Sequence, residues 1–172
     1  MIKPIIIELP YPSFNLQKDI VAAQTIFPAY AAMNGELNAI LQYTYHHLYF
    51  EELDIEIAEI LSAISVAEMK HFEILGKTLL MLGIDPVFSG NPIYKFDYYS
   101  TKNVNYSKTP HKMLLDDLSG EMLAVKQYEE IIKSLNNEQV AAIISRIKLD
   151  EELHIKVLKD ALTKICDKKW WF

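Results

Sequence analysis

Arginine and cysteine are almost missing from this chain: Arg146 and Cys166 are the single examples in 172 residues. One cysteine excludes an internal disulfide and any cysteine-built zinc or iron–sulfur site. One arginine, set against 23 acids and a formal net charge of −6, excludes the basic stripe of a nucleic-acid binder, so no nucleic-acid partner is expected. No stretch approaches 18 uninterrupted apolar residues, and the apolar run at Ile5-Ile6-Ile7 is too short for a signal peptide. No membrane association is therefore expected, and the cytoplasm is the default compartment. With 51% hydrophobic and 23% charged residues, the composition suits one globular domain over residues 1–172 with a sizeable core.

Proline is absent from residues 29–85 and from 111–172. Each stretch is long enough for two helices, because proline is the strongest veto on a helix interior. Asp54 can cap a helix after the polar break Glu51-Glu52-Leu53, Asn136-Asn137-Glu138 marks a similar break, and Gly83 before Pro86 reads as a stop. Helices are predicted over about 20–51, 54–82, 111–135 and 138–165. An extended N-terminal segment (1–19), a crossover (84–110) and an aromatic tail (166–172) complete the chain. Two short turns make each half an antiparallel hairpin. The crossover can span helices of roughly 40 Å at about 3.3 Å per residue, which leaves the second and third helices parallel. The predicted fold is all-α: a four-helix bundle of two antiparallel hairpins with one long crossover.

The halves repeat one another. Gly35-Glu36 with Ala39, Gln42 and Tyr43 lines up with Gly120-Glu121, Ala124, Gln127 and Tyr128, and Glu68-Met69-Lys70-His71 matches Glu151-Glu152-Leu153-His154. Steps of three and four residues trace one face of each helix. Each such stripe is apolar except near its middle, where it carries Glu36, Glu68, Glu121 or Glu151; His71 and His154 follow one turn after two of them. Four buried carboxylates at one level are costly unless cations compensate them. Two Glu-x-x-His pairs and two further glutamates can hold two metal ions with carboxylates between them.

These segments resemble the ligand segments of ferritin-like di-iron proteins, closest to bacterioferritin, and the wider layout resembles the rubrerythrin group. The likeness covers about residues 20 to 165. It implies that Glu36 and His71 bind one iron, Glu121 and His154 the other, and that Glu68 and Glu151 bridge them. Two manganese ions or a mixed pair are the alternative cofactors. Three departures limit the likeness. Ala124 stands where rubrerythrins have a further glutamate, no rubredoxin iron site can be built, and the chain leaves little room for the fifth helix with which bacterioferritins close a cage. Met69 occupies the position of the haem-ligating methionine of bacterioferritins; packing is its expected role, and haem is not expected.

Tyr43 and Tyr128 each follow a ligand glutamate by seven residues, on the same face. They are expected to hydrogen-bond a carboxylate or to donate electrons, the alternative being plain core tyrosines. His47 is expected in the core as a hydrogen-bonded residue, His46 and His111 in solvent, and Asp150 either beside a ligand histidine or in water. Gly35 and Gly120 suggest close helix approach. Tyr94, Tyr98, Tyr99, Tyr106 and the Trp170-Trp171-Phe172 tail are expected to cover the bundle or a partner in a homodimer, and Cys166 to be a packing residue. The function implied is a non-haem di-iron oxidoreductase reacting with hydrogen peroxide or dioxygen, of rubrerythrin type, fed by a separate electron-donor protein. A bacterioferritin-like ferroxidase, a manganese catalase-like enzyme and a non-catalytic helical assembly protein are the alternatives. Two divalent ions would bring the net charge from −6 to about −2.

Overall fold

Aspartates open two of the helices. The Asp19 carboxylate accepts from the Ala22 amide at 3.0 Å, and Asp54 accepts from Glu56 and Ile57, filling amides that a helix start leaves open. The computed structural model describes residues 2–13, 15–91 and 97–167. It contains α1 (Ile20–Ala31), α2 (Glu36–Phe50), α3 (Ile55–Leu82), α4 (Pro110–Ser134) and α5 (Glu138–Asp167). Pro110 begins α4, where no amide is needed, and Gly83 ends α3 in the left-handed region at φ 99°.

The helix predicted over 20–51 is two helices. Pro28 lies inside α1, where it cannot donate to the preceding turn, and the helix ends three residues later. Ala32 is extended, and so is Gly35, which precedes α2. Glu36 is consequently the first residue of α2 rather than a mid-helix residue. The close approach expected at Gly35 is present: a Cβ there would lie 2.8 Å from the Ala29 carbonyl oxygen and 2.9 Å from that of Pro28. At Gly120 the expectation fails, since nothing lies within 4 Å of a Cβ position and the residue is exposed. Gly35→Ala should therefore cost about 1–3 kcal/mol, because backbone carbonyls cannot yield as a side chain can. Gly120→Ala should gain up to about 1 kcal/mol from helix propensity. Thermal unfolding of both metal-free variants beside the parent measures the contrast.

The apolar side chains form two separate clusters. One joins α1 with Leu75, Leu79 and Leu82 of α3, Tyr128 and Ile131 of α4, and Val140 to Ile147 of α5. The other joins Tyr43 and Phe50 of α2 with Ile57 to Ile64 of α3, Met113 and Leu114 of α4, and Leu158 to Ile165 of α5. Followed between the clusters, α3 and α4 run the same way while α2 and α5 run oppositely, so α3 and α4 are parallel as the long crossover requires. Together α1 and α2 fill the place of one long helix, with the break opposite the layer between the clusters.

The crossover returns onto the bundle. Phe88 packs edge-on against Tyr30 and Phe72, the Tyr99 hydroxyl donates to Asn38 at 2.8 Å, and Tyr106 packs against Tyr45. Tyr98 is exposed. Tyr94 and the Trp170-Trp171-Phe172 tail lie outside the described residues. Cys166 is exposed, against its expected packing role. Among the described residues, no helix is long and apolar enough to cross a membrane.

Candidate metal centre

Between the two apolar clusters the helices bring together four glutamates and two histidines. Glu36 comes from the start of α2, Glu68 and His71 from one turn of α3, Glu121 from mid-α4, and Glu151 and His154 from one turn of α5. All six are buried. They form two groups whose ligand atoms lie within 4.8 Å of one another: Glu36, Glu68, His71 and Glu151, and Glu68, Glu121, Glu151 and His154. Glu68 and Glu151 belong to both.

The shared glutamates are crossed. Glu68 places Oε2 3.4 Å from Nδ1 of His71 and Oε1 3.0 Å from Nδ1 of His154. Glu151 places Oε2 3.1 Å from Nδ1 of His154 and Oε1 3.0 Å from Nδ1 of His71. The two Oε1 contacts are at ion-pair distance but out of line for a hydrogen bond, so both oxygens are buried without a hydrogen-bond partner. Such orphaned anionic oxygens are what a cation between them would satisfy, and a mixed imidazole and carboxylate donor set fits iron or manganese.

The six side chains shift one another's proton affinities. Burial, reinforced by Glu68 and Glu151, holds the Glu36 carboxyl well above its usual range, and burial with Glu151 and Glu68 does the same to Glu121. Burial opposes the charged forms of Glu68 and Glu151, but the close contacts with Glu36, His154 and His71 outweigh it at Glu68, and those with His71 and His154 do so at Glu151; both fall below the usual range. Burial also opposes charge on the imidazoles. The facing carboxylates, Glu151 and Asp150 at His71 and Glu121 at His154, overcome it and raise both well above the usual range. Protons are thus favoured on Glu36, Glu121, His71 and His154, and a cation binding among these side chains would compete with them.

Tyr43 and Tyr128 do what the spacing suggested, but crosswise. The Tyr43 hydroxyl on α2 donates to Glu121 on α4, and the Tyr128 hydroxyl on α4 donates to Glu36 on α2. Burial, then the neighbouring carboxylates, pushes both phenols well above their usual range, so they remain donors. Asp150 is buried rather than solvated: its Oδ2 lies 3.1 Å from Nε2 of His71. Interactions with His71, Tyr11, Ile7 and Arg146 outweigh burial and lower its carboxyl to about 2.

Other expectations change. His46, expected in solvent, is fully buried, with Nδ1 2.8 Å from Asp117 and Nε2 3.2 Å from the Asn105 carbonyl. His47 is partly exposed and hydrogen-bonded to the Ala58 carbonyl at 2.9 Å, away from the centre. His111 is partly buried. Met69 is 48% exposed on α3. An N-terminal strap, residues 5–11, lies behind both histidines: the Ile5 carbonyl is 2.8 Å from Nε2 of His154, and the Ile7 amide and Tyr11 hydroxyl donate to Asp150, which contacts His71; no periodicity announces it, and the signal available was Arg146, four residues before Asp150. A cavity of about 250 Å³ opens between α2 and α4 onto Glu36, Glu68, Glu121 and Glu151, with Ala39, Gly120 and Ala124 in its wall.

Residues 30–167 match the family model of the ferritin-like domain. No curated protein matches the sequence. Among solved structures, a manganese catalase from Anabaena superposes with a TM-score of 0.83 at 20% identity, covering 96% of this chain and 82% of that one. The bacterioferritin of Mycobacterium tuberculosis gives 0.69 at 23% identity, covering 88% and 90%. The bacterioferritin of Rhodobacter capsulatus gives 0.73 at 22% identity, covering 88% and 89%.

Proposed function

The chain belongs to the ferritin-like domain family, and from that premise we propose that it is a di-metal oxidoreductase acting on hydrogen peroxide or dioxygen. In this reading Glu36 and His71 hold one ion, Glu121 and His154 the other, and Glu68 and Glu151 bridge them. The observation that carries it is the crossing of the two shared glutamates, each with one oxygen toward either histidine. Iron or manganese held there would relay electrons, either two from a donor to one peroxide or from one peroxide to a second. The chain's own residues do the rest. Tyr43 and Tyr128 hold Glu121 and Glu36 in orientation and keep a proton beside each. The apolar clusters exclude water from both ends. The α2–α4 cavity, of about 250 Å³, leaves room for a small molecule beside Gly120 and Ala124.

Peroxide reduction at a di-iron centre, with two electrons from a separate donor protein, is the first reading. Dismutation at a di-manganese centre is the second, favoured by the fold likeness to a manganese catalase over 96% of the chain. Protein loaded anaerobically with Fe²⁺ or Mn²⁺ and mixed with peroxide separates them. Oxidation of an added reduced dye without oxygen release supports the first, and oxygen release from the manganese form without a donor supports the second. Repeated Fe²⁺ oxidation with mineral growth would indicate a ferroxidase instead. Inertness of both loaded forms would contradict the assignment.

A further inference from the structure

Every position that the internal repeat matches, the glycine, glutamate, alanine, glutamine and tyrosine of each half, lines the cavity between α2 and α4. The repeat thus duplicates the walls of an open space as well as a set of acids. Protein interiors leave few voids larger than a water, and glycine and alanine at matched places on the two lining helices keep this one from filling. The two glycines differ in access. Gly35 is shut in by the Pro28 and Ala29 carbonyls, whereas a Cβ on Gly120 would meet nothing within 4 Å and the residue is exposed. The acids of the rim are engaged elsewhere, Asp117 by His46 and Gln42 and Asp116 by Ser107 and Lys112. Leu123 and Ala124 remain as the apolar surface beside Gly120. The space also exceeds what hydrogen peroxide or dioxygen fills: it measures about 250 Å³, and a water takes roughly 30 Å³ of the liquid.

We propose that the substrates of this centre include small alkyl hydroperoxides, with the alkyl group against Ala39, Gly120 and Ala124 and the O–O group toward the carboxylates at the inner end. The inference rests on the peroxide reading above. The O–O bond breaks on uptake of two electrons from the separate donor protein and two protons from solvent. The oxygen bonded to carbon leaves in the alcohol, and the other leaves in water. An alkyl hydroperoxide cannot be oxidised to dioxygen without losing its alkyl group, so its reduction belongs to the donor-fed reaction and not to dismutation.

Iron-loaded protein, freed of unbound iron, is mixed anaerobically with a reduced dye and either hydrogen peroxide or tert-butyl hydroperoxide. Both should oxidise the dye, the second with one tert-butyl alcohol formed per two electrons. Gly120→Leu and Ala124→Leu each add bulk to the α4 wall. Each should lower kcat/KM for tert-butyl hydroperoxide by about 10–100-fold relative to that for hydrogen peroxide. Gly120→Leu also favours the helix, so misfolding does not obscure its result. The metal-free protein gives a second readout. Nuclear Overhauser contacts from the methyls of tert-butyl alcohol to those of Ala39 and Ala124 should appear in the parent and vanish in Gly120→Leu. Reaction with hydrogen peroxide alone, an unchanged ratio in both variants, or no such contacts in the parent overturns the proposal. Inertness toward both hydroperoxides overturns the peroxide reading itself, a separate failure that takes the proposal with it.

Discussion

Glu68→Ala combined with Glu151→Ala will abolish the binding of both metal ions. Each of these glutamates belongs to both ligand groups, so their joint loss leaves each position with one carboxylate and one imidazole. Affinity at both positions should fall well beyond the 10–100-fold typical of losing an outer partner, and any peroxide or dioxygen chemistry should fall with it. Glu36→Ala is the informative contrast. Glu36 belongs to one group only, so this variant should retain one ion beside His154 and lose the other. Metal content after gel filtration gives the answer for both, with far-UV circular dichroism to show that the helices persist. Two ions retained by the double variant would remove these glutamates from the centre.

Without metal, the protein will lose stability as pH rises from about 5 to 9; with metal it will not. The folded-state pKa values of Glu36, Glu121, His71 and His154 all lie above their ordinary values. A raised group contributes stability that is complete below its unfolded pKa and disappears as pH climbs through the folded one. The depressed pair, Glu68 and Glu151, acts in the opposite sense, but its contribution is complete above about pH 4.5. Over the neutral range the raised groups therefore decide the sign. At this chain length each kcal/mol moves the Tm by about 2–4 °C, and with four groups moving together the metal-free Tm should fall by more than about 5 °C. Two divalent ions replace the protons on the same four residues, so their binding should release about four protons and tighten with pH. Calorimetry in buffers of different ionisation enthalpy counts those protons. A metal-free Tm that rises over this range, or binding without proton release, would contradict the charge balance.

The cluster of four glutamates and two histidines was legible because it breaks a strong pattern: glutamates at helical spacing inside apolar stripes, two followed one turn later by histidine. The parallel arrangement of α3 and α4 was legible from the length of the crossover alone. The break at Ala32 to Gly35 was not. Pro28 lies just outside the proline-free window, and the repeat aligned Gly35 with Gly120, though one faces two backbone carbonyls and the other faces solvent. His46 was misplaced because one apolar stripe per helix assumes a single buried face, whereas α2 is covered on its flank by Asp117 and Asn105 as well. The strap was invisible for a different reason. Its bonds join residues 137 to 149 positions apart through backbone atoms, which leave no side-chain signature.

In the proposed centre Glu68 and Glu151 lie between two ions. The most direct measurement is an anomalous-scattering structure of protein produced and crystallised anaerobically with excess Fe²⁺ or Mn²⁺. Two peaks per chain are expected, one flanked by Glu36 and His71 and one by Glu121 and His154, with a carboxylate of Glu68 and of Glu151 reaching both. One peak, or none with the six side chains still hydrogen-bonded to each other, would contradict it.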